Sequence, residues 1–99
     1  PKDCTDPRAY IIKHECGHQV IGYIYKKEPE LFNMIADIIL TALRNGSLHA
    51  FCEHATSENI FEAFADIYAS VYTVEPDFQP FFVRLIHKLL RENGIPVQD

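Results

Sequence analysis

Apolar residues recur at helical spacing along almost the whole chain, and this periodicity constrains the fold more than any other feature of the sequence. Four such runs occur, separated by breaks at residues 27–29, 45–46 and 75–77. No run shows the period-two alternation that is typical of a half-buried strand. The sequence therefore predicts a mainly α fold, with about four packed helices and one longer connector.

Capping residues indicate where these helices begin. Asp6 followed by Pro7 is typical of an N-cap and a first helical position. Thr56 or Ser57 is the predicted N-cap of the third helix, and residues 46–56 form a connector with room for a short strand or turn. The predicted helices span about residues 8–26, 29–44, 58–73 and 78–92.

Composition excludes several classes of protein. The 99 residues favour one domain, and a net charge of −5 without a Lys/Arg-rich run argues against nucleic-acid binding. No stretch approaches the roughly 18 apolar residues of a membrane span. Three cysteines without a C-x-x-C pair argue against a disulfide framework and favour reduced thiols. Because the chain starts at Pro1, we expect a fragment or a processed product.

The first helix carries a metal-binding motif. Residues 14–18 read His-Glu-Cys-Gly-His, which is H-E-x-x-H, and positions four apart lie on one helix face. His14 and His18 can therefore hold one zinc ion, while Glu15 is left to act on a zinc-activated water. The alternative is two helix-face histidines with a solvated glutamate. We expect this helix to be largely buried because apolar residues flank the motif: Ile11, Ile12, Val20 and Ile21.

The third predicted helix offers the remaining ligand. A catalytic zinc usually has three protein ligands, and Glu62 can complete a His2Glu site. Asp66, one turn further, lies on the same face and is expected to accept the far ring N–H of a ligating histidine. The alternative for both acids is a solvated helix face.

Other residues compete for a place at the metal. Glu58 lies one turn before Glu62, nearer the exposed helix start. His49 or His54 would give a three-histidine site, although the spacing lacks the longer H-E-x-x-H-x-x-G-x-x-H form. Cys4 is a further candidate to close the site, whereas Cys16 is expected to pack away from the two histidines.

These two motif segments resemble the gluzincin clan of zinc metallopeptidases, in which a second helix carries E-x-x-x-D with the glutamate as zinc ligand. More narrowly, the H-E-x-G-H helix and residues 57–68 resemble the catalytic domain of the anthrax lethal factor-like peptidases. The similarity covers about residues 10–90. It implies a minimal zincin core that lacks most of the N-terminal sheet, because only 13 residues precede His14.

The resemblance also implies an activity. It predicts a zinc-dependent endopeptidase with Zn²⁺ as cofactor, Glu15 as general base and a peptide or protein as substrate. Lethal factor-like enzymes place a tyrosine shortly before the ligand glutamate to stabilise the oxyanion, and this chain has none there. His54 or His49 is the expected replacement. By family analogy alone, the parent would be a secreted toxin or effector protease acting in a host cytosol.

Two other classes of function stay open from the sequence. One is a zinc-stabilised helical binding domain or inactive pseudo-peptidase, which a fourth protein ligand would mark. The other is a helical interaction module without metal, which a strong chelator would leave folded. Glu15 favours the enzyme, because a structural zinc site has no use for it.

Overall fold

The first helix begins where the capping residues predicted. In a computed structural model, which describes residues 4–51 and 59–95, helix α1 spans Pro7–Lys27. The Asp6 carboxylate accepts hydrogen bonds from the backbone N–H groups of Arg8 (3.1 Å) and Ala9 (3.2 Å). Two of the orphan donors of the first turn are thereby satisfied.

The described residues form a mainly α fold, as the sequence predicted. Helix α1 is followed by α2 (Pro29–Arg44), α3 (Ser47–Phe51), α4 (Ile60–Thr73), a 3-10 turn (Pro76–Phe78) and α5 (Phe81–Glu92). No strand occurs among them, and a single isolated β-bridge joins Cys4 to Val74. None of the helices in this part of the chain is both long and apolar enough to cross a bilayer.

Helix α4 lies in the centre of the molecule. It contacts α1 along most of its length, and α2 and α5 pack against it as well. The apolar core draws on every helix, and its largest fully buried side chains include Phe64, Ile21, Ile35, Ile39, Leu48, Ile67 and Ile86. Burial of α4 on several sides explains why its sequence is apolar nearly all round rather than along one stripe.

Three predictions about the connector and the starts of the last two helices were wrong. The connector contains the short helix α3 rather than a strand, and residues 52–56 lie outside the described part. Helix α4 is capped by Asn59, whose side chain accepts from the N–H groups of Phe61 and Glu62, so Thr56 and Ser57 are not its caps. Helix α5 starts at Phe81 rather than at residue 78. Pro76 begins the 3-10 turn, and Pro80 confines Gln79 before it to extended backbone.

The prediction that α1 is largely buried was also wrong. Ile11 and Ile12 are 65% and 63% exposed, and the buried residues of α1 are Gly17, Ile21 and Ile24 alone. Apolar residues beside the motif indicated burial, but only the side of α1 that faces α4 has a neighbour to pack against. The helix is therefore a surface helix that carries the two histidines on one edge of its buried face.

Candidate metal centre

Five polar side chains from two facing helices meet at one end of the α1–α4 contact. Tyr10, His14 and His18 follow one another at four-residue spacing on α1, and Glu62 and Asp66 do so on α4. Residues four apart lie one turn above another on the same helix face. Two short rows of side chains therefore oppose each other across the interface.

The Glu62 carboxylate reaches both histidines of the motif. Its Oε1 lies 2.8 Å from His14 Nε2, and its Oε2 lies 2.9 Å from His18 Nε2. The two imidazole rings are 4.9 Å apart between centroids and nearly perpendicular. The same nitrogen of each ring thus points at the same carboxylate, which is the convergence expected of a His2Glu site.

Gly17 allows the helices to approach closely enough for these contacts. A Cβ at position 17 would lie 2.9 Å from the Ala65 Cα and 3.1 Å from the Tyr68 Cβ, closer than real side chains pack. The small residues Gly17 and Ala65 therefore set the separation of α1 and α4 beside the motif. Tyr68 closes this contact, and its burial raises the pKa of the phenol well above the usual value, helped by a hydrogen bond with Tyr72.

The start of α4 fixes the position of Glu62. Asn59 Oδ1 accepts from the Glu62 backbone N–H at 3.3 Å, so the ligand candidate lies in a capped first helical turn. The N-terminal end of a helix dipole also favours a carboxylate at this place. Backbone geometry and electrostatics together hold an acid opposite the histidines.

Asp66 lies on a different side of His14 from the one predicted. Its Oδ1 is 3.2 Å from His14 Nε2, the same nitrogen that contacts Glu62, and it does not reach the far ring nitrogen. Asp66 is 8% exposed, and Tyr10 donates its hydroxyl hydrogen to the same Oδ1 at 2.6 Å. The carboxylate is held on the metal side of the ring because Tyr10 binds it from the neighbouring turn of α1.

Tyr10 is the residue of this cluster that the sequence interpretation missed. Its ring centroid lies 6.1 Å from that of His14. The signal was present, since Tyr10 precedes His14 by four residues and His14 precedes His18 by four. A search limited to the usual metal-ligand types excludes such a residue, although a phenol is a good partner for a buried carboxylate.

One side of the cluster is open to solvent. The side chains of His14, His18 and Glu62 are 18%, 34% and 45% exposed. Glu15 is exposed beside them, and no hydrogen bond or ion pair with another described residue occupies its carboxylate. The three candidate ligands are therefore partly accessible to solvent.

The donor set suits zinc. One atom each from His14, His18 and Glu62 lies within 4.8 Å of the others. Tetrahedral zinc with bonds of about 2.0–2.1 Å places its ligand atoms roughly 3.3 Å apart, so a shift of about half an ångström would admit the ion. Two neutral imidazoles and one carboxylate would neutralise one of the two positive charges of the ion. Three protein ligands of this kind are typical of zinc that keeps an open position.

The remaining candidates do not join this cluster in the described residues. His54, Glu58 and Cys52 fall within 52–58, outside the described part of the chain. His49 is exposed on α3. Cys4 pairs with Val74 at the opposite end of α4 from Glu62, and Cys16 packs against the apolar core, as predicted.

Comparisons with known protein families, with curated proteins and with solved structures found no match for this chain. The resemblance to gluzincins stays a prediction from the H-E-x-x-H and E-x-x-x-D segments of the sequence.

Proposed function

We propose that this chain binds one Zn²⁺ through His14, His18 and Glu62 and hydrolyses peptide bonds, with Glu15 as general base. The convergence of two Nε2 atoms and one carboxylate from separate helices carries the proposal. Glu62 lies 44 positions after His18 and 48 after His14, so the local H-E-x-x-H pattern does not by itself account for its meeting the two histidines.

Each residue has a separate task in this proposal. Bound zinc supplies Lewis acidity that activates water and polarises a carbonyl oxygen. The Glu15 carboxylate takes a proton from the attacking water and passes it to the departing amine nitrogen. Glu15 is suited to this because it follows His14 directly, is exposed, and forms no ion pair with another described residue. Asp66 and Tyr10 hold the inner side of the site and limit the movement of His14.

Stabilisation of the oxyanion is assigned to His54, with His49 as the alternative. This assignment rests on the resemblance alone. His49 is exposed on α3, and His54 lies outside the described residues.

A zinc-stabilised binding domain is the second candidate function, and one observation favours it. Asp66 Oδ1 lies 3.2 Å from His14 Nε2 and is a carboxylate oxygen on the metal side of that ring. If Asp66 became a fourth protein ligand, the site would be closed and the zinc structural.

A peptidase assay on matched variants separates the two functions. Zinc-loaded wild type should cleave peptides from a mixed-sequence library, with products followed by mass spectrometry. Glu15→Gln should abolish cleavage and still hold about one zinc, whereas Glu30→Gln, a control in the first turn of α2, should change neither. Wild type that retains zinc and cleaves nothing, together with zinc loss in Asp66→Asn, would establish the structural site instead.

A further inference from the structure

A second concave surface lies at the other end of α4 from the metal centre. It is a groove of about 1160 Å³ between the end of α4, the 3-10 turn and α5. Glu62 and Val74 are separated by 12 residues, or about 18 Å along a helix and its cap. The groove is separate from the metal centre, because its lining includes none of the proposed zinc ligands.

One wall of the groove is a basic stripe on α5. Arg84, His87, Lys88 and Arg91 all line it, at spacings of three, four and seven residues from Arg84. Such positions share one helix face. Three of the nine Lys and Arg residues of an acidic chain are thus gathered on one groove wall.

The carboxylates that line the groove do not balance the positive charge of this stripe. Glu75 and Glu92 also line the groove, so three cations face two carboxylates. Arg84 and Lys88 are exposed, and neither forms an ion pair with a described residue. Their guanidinium and ammonium groups can therefore bind an acid brought by another molecule.

The same groove offers apolar surface. Val71 and Val74 form buried parts of its lining, and Phe81 at its rim is 80% exposed. An exposed aromatic beside unpaired cations suits an occupant with both apolar and acidic side chains. An inorganic anion would use the cations and leave the apolar surface uncovered.

His87 adds an unsatisfied polar atom at this place. The residue is half-buried, and its Nε2 is fully buried with no hydrogen-bond partner among the described residues. Buried polar atoms without a partner are uncommon and call for an explanation. A polar group of an occupant in the groove, which His87 lines, would supply such a partner.

We propose that this groove, here called the α5 groove, binds a peptide segment of a partner protein that carries both acidic and apolar side chains. The basic stripe contacts the carboxylates, and the exposed Phe81 at the rim contacts the apolar side chains. The interaction is independent of the proposed peptidase activity, since it uses different residues at the other end of α4.

Fluorescence anisotropy tests this with a defined probe: a fluorescein-labelled decapeptide of six glutamates and four leucines. The full chain should bind it at low ionic strength, and added salt should weaken binding. Arg84→Glu with Lys88→Glu should weaken it at least about tenfold, because two attractive charges become repulsive. Lys26→Glu with Lys27→Glu makes the same change in net charge at the end of α1 and should alter the Kd less than twofold.

Three results would overturn the proposal. They are equal weakening by the two double variants, equal binding of a peptide with lysine in place of each glutamate, and no binding at millimolar protein. Binding of phosphatidylserine vesicles that is lost in the Arg84/Lys88 variant, without peptide binding, would assign the groove to a membrane surface instead. Circular dichroism of both variants confirms that the exposed substitutions leave the fold intact.

Discussion

Helices α1 and α4 supply the two halves of the proposed metal centre from opposite environments. Helix α4 buries ten of its 14 residues, whereas α1 buries three of 21. The carboxylates thus belong to the core helix and the histidines to a surface helix. We therefore expect core side chains of α4 to contribute most to the free energy of unfolding. The geometry of the site should depend on how α1 packs against α4.

Only one side of α1 packs against the rest of the described structure. Gly17, Ile21 and Ile24 bury its inner face, and Ile11, Ile12, Tyr23 and Tyr25 remain more than half exposed on its outer sides. Each of the two fully buried isoleucines should contribute about 1.5–3 kcal/mol. The position of α1 is therefore set by these two side chains, by close contact at Gly17 and by the polar contacts on the same side.

The largest expected contrast lies between apolar residues of the two helices. Phe64→Ala, at a side chain that is 0% exposed in α4, should lower the free energy of unfolding by about 3–5 kcal/mol. Ile12→Ala, at a side chain that is 63% exposed in α1, should change it by less than about 0.5 kcal/mol. Urea unfolding measures both. Similar losses in the two variants would mean that α1 is buried in solution.

The next contrast compares two glycines of α1. Gly17→Ala should destabilise by about 1–3 kcal/mol, because the added Cβ would lie 2.9 Å from backbone of α4. Gly22→Ala meets no atom within 4 Å and should stabilise by roughly 0.5–1 kcal/mol through helix propensity. Thermal unfolding of both variants shows whether each substitution raises or lowers the stability. A neutral Gly17→Ala would show that the helices can separate without cost.

The smallest predicted effect concerns Tyr10. Tyr10→Phe removes the 2.6 Å hydrogen bond to Asp66 and should weaken zinc binding about tenfold, since groups that orient metal ligands typically contribute 10–100-fold. Tyr23→Phe, on the exposed side of α1, is the matched control and should leave affinity unchanged. Competition with a chromophoric chelator measures both. Equal affinities in all three proteins would remove Tyr10 from the site.

Much of the helical fold could be predicted from local signals. Asp6, Pro7 and the Asn-Gly pair at 93–94 act within one or two turns, so their effect is visible in the sequence, and Gly94 adopts the positive φ of 74° that ends α5. The burial of α1 was mispredicted because it depends on which sides of the helix have neighbours. Hydrophobic periodicity identifies the apolar face of a helix but does not show which neighbouring element, if any, covers that face.

The geometry of the candidate site could also be predicted only in part from the sequence. The pairing of His14 with His18 and of Glu62 with Asp66 follows from spacing on a helix. The contact of Asp66 with Nε2 of His14 depends on how α1 and α4 pack together, and the close approach of Gly17 to Ala65 belongs to that packing. Tyr10 shares the face of His14 by the same four-residue spacing, but its hydrogen bond to Asp66, 56 residues away, does not follow from that spacing.

Zinc content is the most direct test of the proposed site. Elemental analysis would be made on the purified wild type and on His18→Ala, Glu62→Ala and the control Glu30→Ala, each confirmed as folded by circular dichroism. We predict about one zinc per chain in wild type and control, and loss of zinc in the other two. Stoichiometric zinc in Glu62→Ala, or a folded wild type that cannot be loaded, would contradict the His2Glu site.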